Sequence, residues 1–352
     1  MGLRGFIAKR IVYMAILLIA VMTLNFIIFM VMPGDPADLF INPIKRGNAT
    51  DVRRQMDTIN ALWGLNDPPV IRYFKYLRNM FTWNFGITLK TRDPVAEEMM
   101  WRVPFTLALL GGAGIIAIAV GVLLGAMAAY KRGGKLDSFT VVSSLVFFSL
   151  PTFWMGLIFI LVFYVNLGWF PHAHAFPVSW GYNPPHPLSC NATTGNSLGL
   201  FVTVNPNDMW AYITGILKHM FLPVLTLTLF QYGSFVLLTR ATMIESLTED
   251  YIVTARAKGV PERNVVFRHA LKNASLPLIT AAALHFGFVL SGAIITEGVY
   301  SWPGLGRWIF DSIGLKDYNV LQAVFYVIAL CVILANFMSD LLYGIIDPRI
   351  KY

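Results

Sequence analysis

Charge is the scarcest ingredient of this chain. Across 352 residues only 13% are Asp, Glu, Lys or Arg, where soluble domains carry roughly 25%. An ordinary water-facing globule is thereby excluded. Cysteine is nearly missing as well. Cys190 and Cys331 are the only two, one in a polar loop and one in an apolar run, so neither a disulfide framework nor a thiolate metal site is expected. A nucleotide-binding phosphate loop is also absent. The nearest string, Gly133-Gly134-Lys135, lacks the upstream glycine spacing and the hydroxyl residue that should follow. Heptads, short-period repeats and a separate soluble domain of ordinary size are not found either. No carboxylate or ammonium lies within the long apolar stretches, where an ion-coupled carrier would want one. The nucleophile–base pair or metal cluster of a membrane enzyme is equally lacking.

What is present is hydrophobicity, at 56% of residues. It is gathered into runs long enough for the ~20 helical residues that cross ~30 Å of hydrocarbon. Six such runs contain no Asp, Glu, Lys or Arg: Ile11–Met32, Pro104–Tyr130, Ser138–Leu167, His219–Thr239, Asn273–Thr296 and Tyr318–Ser339. The expectation is an all-α integral membrane protein with six transmembrane helices. The third run is overlong and holds Pro151, which predicts a kink or an emerging end. The first is too long for a signal-peptide core and no small-residue cleavage pattern follows, so it is expected to remain as an anchor.

Lys and Arg orient these spans. Arg4, Lys9 and Arg10 precede the first; Lys131, Arg132 and Lys135 join the second and third; Arg240, Arg256, Lys258, Arg263, Arg268 and Lys272 join the fourth and fifth; Arg349 and Lys351 close the chain. The alternate short connections hold only Lys218, Arg307 and Lys316. The ten in Pro33 to Val103 count for little, because long loops translocate largely regardless of charge. Both termini are therefore expected in the cytoplasm. The net charge of +8 follows from this bias and gives no reason to invoke nucleic acid.

Three parts result: a cytoplasmic N-terminus and first span (1–32), an extracytoplasmic loop (33–103) and a five-span core (104–352). The core includes an outer lid (168–218) and a cytoplasmic loop (240–276). In the first loop Val70, Tyr73, Phe74, Leu77 and Phe81 recur at helical spacing, which predicts an amphipathic helix on the membrane surface or against the spans. The lid is rich in Pro, Asn and Gly and reads as irregular. Its His172, His174 and His186 have no fixed helical spacing, and no metal site is assigned to them. Asn48-Ala49-Thr50 and Asn191-Ala192-Thr193 are glycosylation-type sequons. Trp169, Trp180, Trp210, Trp302 and Trp308 read as an interfacial aromatic belt.

The most informative stretch is Ser246 to Pro277. Ser246-Leu247-Thr248-Glu249 fits a capping box, and Asp250 with Arg256 and Lys258 complements a helix dipole. Gly259 stands at a left-handed C-cap position, and Pro261 forbids continuation. Leu247, Tyr251 and Ala255 form an apolar stripe at i, i+4, i+8. So short and charged a helix is suited to be gripped from outside the membrane.

The string from Asp250 through Thr254, Ala255, Arg256, Ala257 and Lys258 to Gly259, followed by Arg268, His269 and Pro277, resembles the coupling loop of ABC-importer permeases. The match is to the dipeptide/oligopeptide group, in its B-type subunit. Val253 and Thr254 replace the usual Glu-Ala, and the Gly-to-Pro spacing is longer than in sugar or amino-acid permeases; both departures are shared by peptide-type members. Pro33-Gly34-Asp35-Pro36, Arg102 to Leu107, Glu297 to Gly306 and Asp347-Pro348-Arg349 extend the likeness over nearly the whole chain. The resemblance implies a type I importer architecture and half of a translocation pathway for di- or oligopeptides, though relatives carry oligosaccharides or nickel. It implies no enzymatic activity and no cofactor here, with ATP and Mg on one or two cytoplasmic ATPase partners. A homologous second permease, an extracytoplasmic substrate-binding protein and membrane lipid complete the expected partners, in a prokaryotic cell membrane. It places the Leu247/Tyr251/Ala255 stripe in a groove of the ATPase with Glu249 and the charged flanks setting register.

Within the spans, Gln231, Tyr232, Ser234, His285 and Ser291 are candidates to line a pathway or to bridge helices. Glu297, Pro303 and Gly304 are expected at an outer gate, with Glu297 as a structural pin able to pair with Arg307 or a neighbouring subunit.

Overall fold

The computed structural model describes residues 3–31, 67–175, 206–287 and 293–346. Pro33-Gly34-Asp35-Pro36, both sequons, Cys190, Trp180, His186, Ser291 and Asp347-Pro348-Arg349 lie outside them. In hydrocarbon a backbone must satisfy its own polar groups, and the apolar runs do so as helices. Among the described residues the only β pairing is an isolated bridge between Ile87 and Pro94.

Helix α1 covers Leu3–Val31 and α2 covers Pro69–Phe81. Helix α3 is continuous over Val95–Tyr130, so it starts before Pro104, carries that proline internally and widens to π pitch over Leu107–Gly111. Helices α4 (Lys135–Ser149) and α5 (Thr152–Asn166) meet at Pro151 with a bend of 100°. The overlong third run is thus two helices, as a proline without an N–H demands. Helix α6 (Pro206–Leu247) has 42 residues, roughly 63 Å at 1.5 Å each. It begins inside the segment expected to be an irregular lid and overshoots the predicted span at both ends. Helix α7 is Asp250–Ala257, and a further helical run, 262–287, ends in α8 (Leu271–Gly287). The segment 240–276, expected to be a cytoplasmic loop, is therefore mostly helix. Helices α9 (Ile294–Val299), α10 (Leu305–Leu315) and α11 (Tyr318–Ile346) complete the order.

Among the described residues four helical stretches are long and apolar enough to cross a membrane: Ile7–Phe29, Val95–Tyr130, Ile213–Leu247 and Tyr318–Met338. The bent α4–α5 pair is a candidate fifth. The fifth predicted run is divided between α8, which ends at Gly287, and α9.

Small residues set the centre of the bundle. Ala113, Ala117, Gly121, Gly125 and Ala129 are buried along one side of α3, four apart, and let α6 approach closely. A β-carbon at Gly121 would sit 2.5 Å from that of Phe235, and one at Gly125 would lie 2.7 Å from both the Thr239 Cβ and the Val236 carbonyl oxygen. Helix α4 closes on α6 in the same way, with the Ser144 carbonyl oxygen 2.7 Å from where a Gly233 β-carbon would stand. Helix α11 packs against both α1 and α8.

Helix α2 docks on α1 through only part of the predicted stripe: Tyr73 meets Thr23, and Leu77 packs on the cluster that holds Met22 and Phe29. Tyr76, Asn79 and Met80 are buried, and the tyrosine hydroxyls find α1: Tyr73 Oη lies 2.6 Å from Thr23 Oγ1, and Asn25 Nδ2 donates to Tyr76 Oη at 3.0 Å. Val70, Phe74 and Phe81 remain exposed. The docked side differs from the stripe because the polar tips of two tyrosines have partners on α1, which a count of apolar residues leaves out. Ile11, Val12, Ile16, Leu17, Ile27 and Ile28 on α1 are similarly open, the inside-out surface of a helix in hydrocarbon.

Candidate functional site

Helix α7 is fastened along its back. Ile252 is fully buried and Ala255 nearly so, in a cluster with Ala126 and Ala129 of α3, Met243 of α6, and Val265, Val266, Ala270 and Ala274 on the following run. Leu247 and Tyr251 pack at its edge. Ser246 Oγ donates to the Ala270 carbonyl at 3.0 Å; its one hydrogen is thereby spent, so the Tyr251 hydroxyl at 2.6 Å donates to it. The capping box is consequently not formed: Ser246 still lies in α6, and Glu249 is the N-cap with no side-chain hydrogen bond.

The C-terminal end follows the sequence expectation. Gly259 has φ +74°, its N–H donates to Arg256 at 2.9 Å, and the Val260 N–H reaches back to Ala255 at 3.2 Å. These are the two bonds of a Schellman stop, with Val260 packing on the same cluster as Ala255. Arg256 forks onto Glu262, Nη2 to Oε1 at 2.7 Å, and fixes the turn from outside. Arg268 is exposed and His269 half-buried on the run that follows.

The open face of α7 is not the predicted one. The Leu247/Tyr251/Ala255 stripe faces the chain's own core, because Ile252 beside it completes a wider apolar surface that the i, i+4, i+8 count left out. Asp250, Val253, Thr254, Ala257 and Lys258 are exposed, spaced i, i+3, i+4, i+7, i+8 along one side. Small uncharged side chains occupy its middle, an acid stands at the helix N-terminus and a base at the C-terminus. Such a strip has the make-up of a surface that seats in a groove.

Nearby is a pair that reading the sequence missed. Arg240 Nε and Nη2 reach Asp137 Oδ1 and Oδ2 at 2.6 and 2.8 Å, and the Gly133 N–H adds a bond at 2.9 Å. A lone acid before one apolar run and a lone base after another, on the same predicted side, was the available signal.

At the opposite end the Glu297–Gly306 string is core. Glu297 is fully buried, accepts from Thr106 Oγ1 at 3.1 Å and from the Arg307 N–H at 3.0 Å, and so caps α10. Arg307 pairs with it through the backbone only; the guanidinium donates to the Ser301 carbonyl at 2.6 Å. A β-carbon at Gly304 would lie 2.5 Å from both Glu297 Oε2 and Thr106 Oγ1, so the residue's smallness makes room for the carboxylate. Pro303, half-buried, precedes it. Tyr300 Oη lies 2.8 Å from Thr226 Oγ1 and donates to the Gly156 carbonyl at 3.3 Å. Trp302 donates to the Phe105 carbonyl at 3.0 Å. Trp302 and Trp308 are buried and belong to the core, whereas Trp169 and Trp210 are exposed as a belt requires. The His172 ring lies tilted against Tyr164 with centroids 4.2 Å apart, and the His174 N–H donates to the Tyr300 carbonyl.

The mid-span candidates separate. Tyr232 is buried with Ala117 and Val236 and meets Phe147 edge-on at 6.2 Å, a helix contact rather than a lining residue. Ser234 is exposed and returns its hydroxyl to the Gln231 carbonyl. Gln231 is half-buried, with Oε1 sealed and lacking a hydrogen-bond donor. One turn on, Phe235 meets the edge of His285 at 5.7 Å. His285 of α8 thus meets α6 at Phe235, one turn from Gln231.

Comparison with known proteins fits this geometry. The family model described as binding-protein-dependent transport system inner membrane component matches residues 121–352, and that of its N-terminal part matches residues 3–110. The chain belongs to this family. It is 35% identical over 348 residues to the di/tripeptide transport system permease protein DppB of Pseudomonas aeruginosa, covering 99% of each chain. Identity is 36% over 351 residues with the dipeptide transport system permease protein DppB of Escherichia coli (99% and 98%) and 33% over 349 residues with the oligopeptide transport system permease protein AppB of Bacillus subtilis (99% of each). In fold it is similar to a chain of the inward-facing MetNI methionine ABC transporter, at TM-score 0.50 and 17% identity, covering 71% of this chain and 98% of that one. The protein is a multi-pass permease component of a transport system, and its helices supply a passage rather than a reaction centre.

Proposed function

We propose that this permease is half of the pathway of an ATP-driven importer for di- and oligopeptides, and that α7 is the helix by which separate ATPase subunits move it. The observation that carries the reading is the division of α7: Ile252, Ala255 and the Ser246–Tyr251–Ala270 bonds tie one side to the bundle, while Asp250, Val253, Thr254, Ala257 and Lys258 stay open. The Gly259 stop and the Arg256–Glu262 fork hold that open side at a fixed angle. A load applied there passes into α3, α6 and α8 through the buried side. The peptide assignment draws on the names of relatives matched over their full length.

In this reading the chain crosses the membrane six times with both termini in the cytoplasm, the fifth crossing running from α8 to α9. Gln231 and His285 border the pathway; Glu297, Pro303 and Gly304 pin its outer end. A homologous permease supplies the other half, an extracytoplasmic binding protein delivers the substrate, and ATP and Mg act on one or two ATPase partners in a prokaryotic cell membrane. The test is chemical cross-linking from Ala257→Cys in cells. The expected product is an adduct with a nucleotide-binding protein, and purified chain free of partners should turn over no ATP. Adducts with lipid or the chain itself alone would refute the coupling role. Ligand screening of the co-purified binding protein then separates peptides from oligosaccharides and nickel.

A further inference from the structure

At the end that carries α7, Asp137 opens α4 and Arg240 stands two turns before the end of α6. The pair is bidentate, the acid is 4% exposed, and the Gly133 N–H adds a third bond from the α3–α4 turn. Two helices and the turn that leads in from α3 therefore meet at one carboxylate. Deeper in the bundle the same helices meet mainly through small and apolar residues at Gly121, Gly125 and Gly233, with one long hydrogen bond from Thr228 Oγ1 to the Ala113 carbonyl at 3.4 Å. A seam of that kind holds helices together but resists sliding weakly, since one ridge can step past another. A forked, planar ion pair tolerates little displacement. Stability alone does not account for it, because a sheltered ion pair is often no stronger than well-packed apolar side chains; fixing register is its better-attested use.

We propose that Asp137 and Arg240 are positioning residues that lock the register of α3 and α4 to α6, so that the three helices travel as one body when α7 is moved. The lock rests on the importer reading above. Where α7 is pushed, the push reaches α6 first. Through the fork it reaches the α3–α4 corner without delay or slip, and the bent α4–α5 unit follows.

The test uses the assembled complex with its co-purified partners in lipid nanodiscs. Spin labels are placed at the exposed positions Ser138→Cys and Glu245→Cys, with Cys190 and Cys331 replaced by Ser. With Asp137 and Arg240 intact, one narrow inter-label distance is expected, unchanged between the nucleotide-free state and the state trapped by ATP and vanadate. In Arg240→Ala, Asp137→Asn and Arg240→Lys the distance is expected to shift on trapping while ATP turnover persists. The lysine keeps the charge and loses the fork, and the asparagine is isosteric, so both report even if the alanine variant fails to assemble. A narrow, nucleotide-independent distance in Asp137→Asn and Arg240→Lys overturns the lock. If the unmutated complex carries no ATPase, the importer reading fails before any variant is compared, and the lock falls with it.

Discussion

The two ends of this bundle use similar residues for opposite purposes. In the Glu297–Gly306 string the large and charged side chains point inward: Glu297, Trp302 and Leu305 are sealed, and Tyr300 is 2% exposed. In α7, one side is equally sealed by Ile252 and Ala255, but Asp250, Val253, Thr254, Ala257 and Lys258 on the other are left open. A string with no spare face is architecture. A string with one spare face, held rigid from behind, leaves room for a partner to seat. Both are motifs in the sequence, and only burial tells them apart.

The comparison is sharpened first by Trp302→Ala. That change empties a fully buried indole site and removes the bond to Phe105. A loss of roughly 3–5 kcal/mol is expected in thermal unfolding of the purified protein in detergent. A loss below about 1 kcal/mol would place this string among ordinary surface segments.

At the other end, adjacent residues should diverge. Ile252→Ala removes a core side chain and should cost roughly 2–5 kcal/mol, whereas Val253→Ala, one residue on and 59% exposed, should stay within about 0.5 kcal/mol. Recovery of ATPase on affinity purification should rank the other way per unit of stability lost: Val253→Ala weakens it without unfolding anything. Equal stability losses in the two variants would erase the distinction between the back and the face of α7.

A pH signature is expected from Asp317, between α10 and α11. Burial raises this carboxyl from 3.8 to about 6, against the pull of the Leu89 N–H that it accepts, so the folded protein holds this proton more tightly than the unfolded chain. The contribution is whole below pH 3.8 and is lost as pH rises through 6, a change of roughly 3 kcal/mol. Asp317→Asn should therefore flatten the fall in melting temperature between about pH 4 and 7. A profile unchanged by the substitution would show the carboxyl to be solvated.

Much of this was legible because hydropathy obeys simple physics. Charge-free runs of spanning length became α1, α3, α6 and α11, Pro151 broke the third run, and Gly259 adopted the left-handed turn its position demanded. Faces were harder. The sense of α2 turned on hydroxyls of Tyr73 and Tyr76 meeting Thr23 and Asn25, some fifty residues away, and the back of α7 on Ile252 meeting Val265 and Met243. Periodicity says which residues share a side, but not which neighbour that side meets. The capping box failed for a related reason: Ser246 found a long-range acceptor at Ala270, and α6 continued through it. Asp137 and Arg240 are 103 residues apart, a pairing that no local pattern marks.

The smallest expected effect concerns Gly259. Nothing lies within 4 Å of where its β-carbon would stand, so Ala there meets no clash. The cost comes from φ +74° alone, about 1–2 kcal/mol for an L-residue. Asn, which tolerates the left-handed region, should cost less than Ala, and a β-branched Val more. Coupling should fall in the same order, since relaxing this φ breaks the Val260-to-Ala255 bond, frees the end of α7 and lets Ala257 and Lys258 swing. Import per ATP hydrolysed, measured across Asn, Ala and Val, is the discriminating quantity. If Val imports as efficiently as Gly, the stop is merely where α7 ends, and the rigidity of its open face must come from the Ile252 side alone.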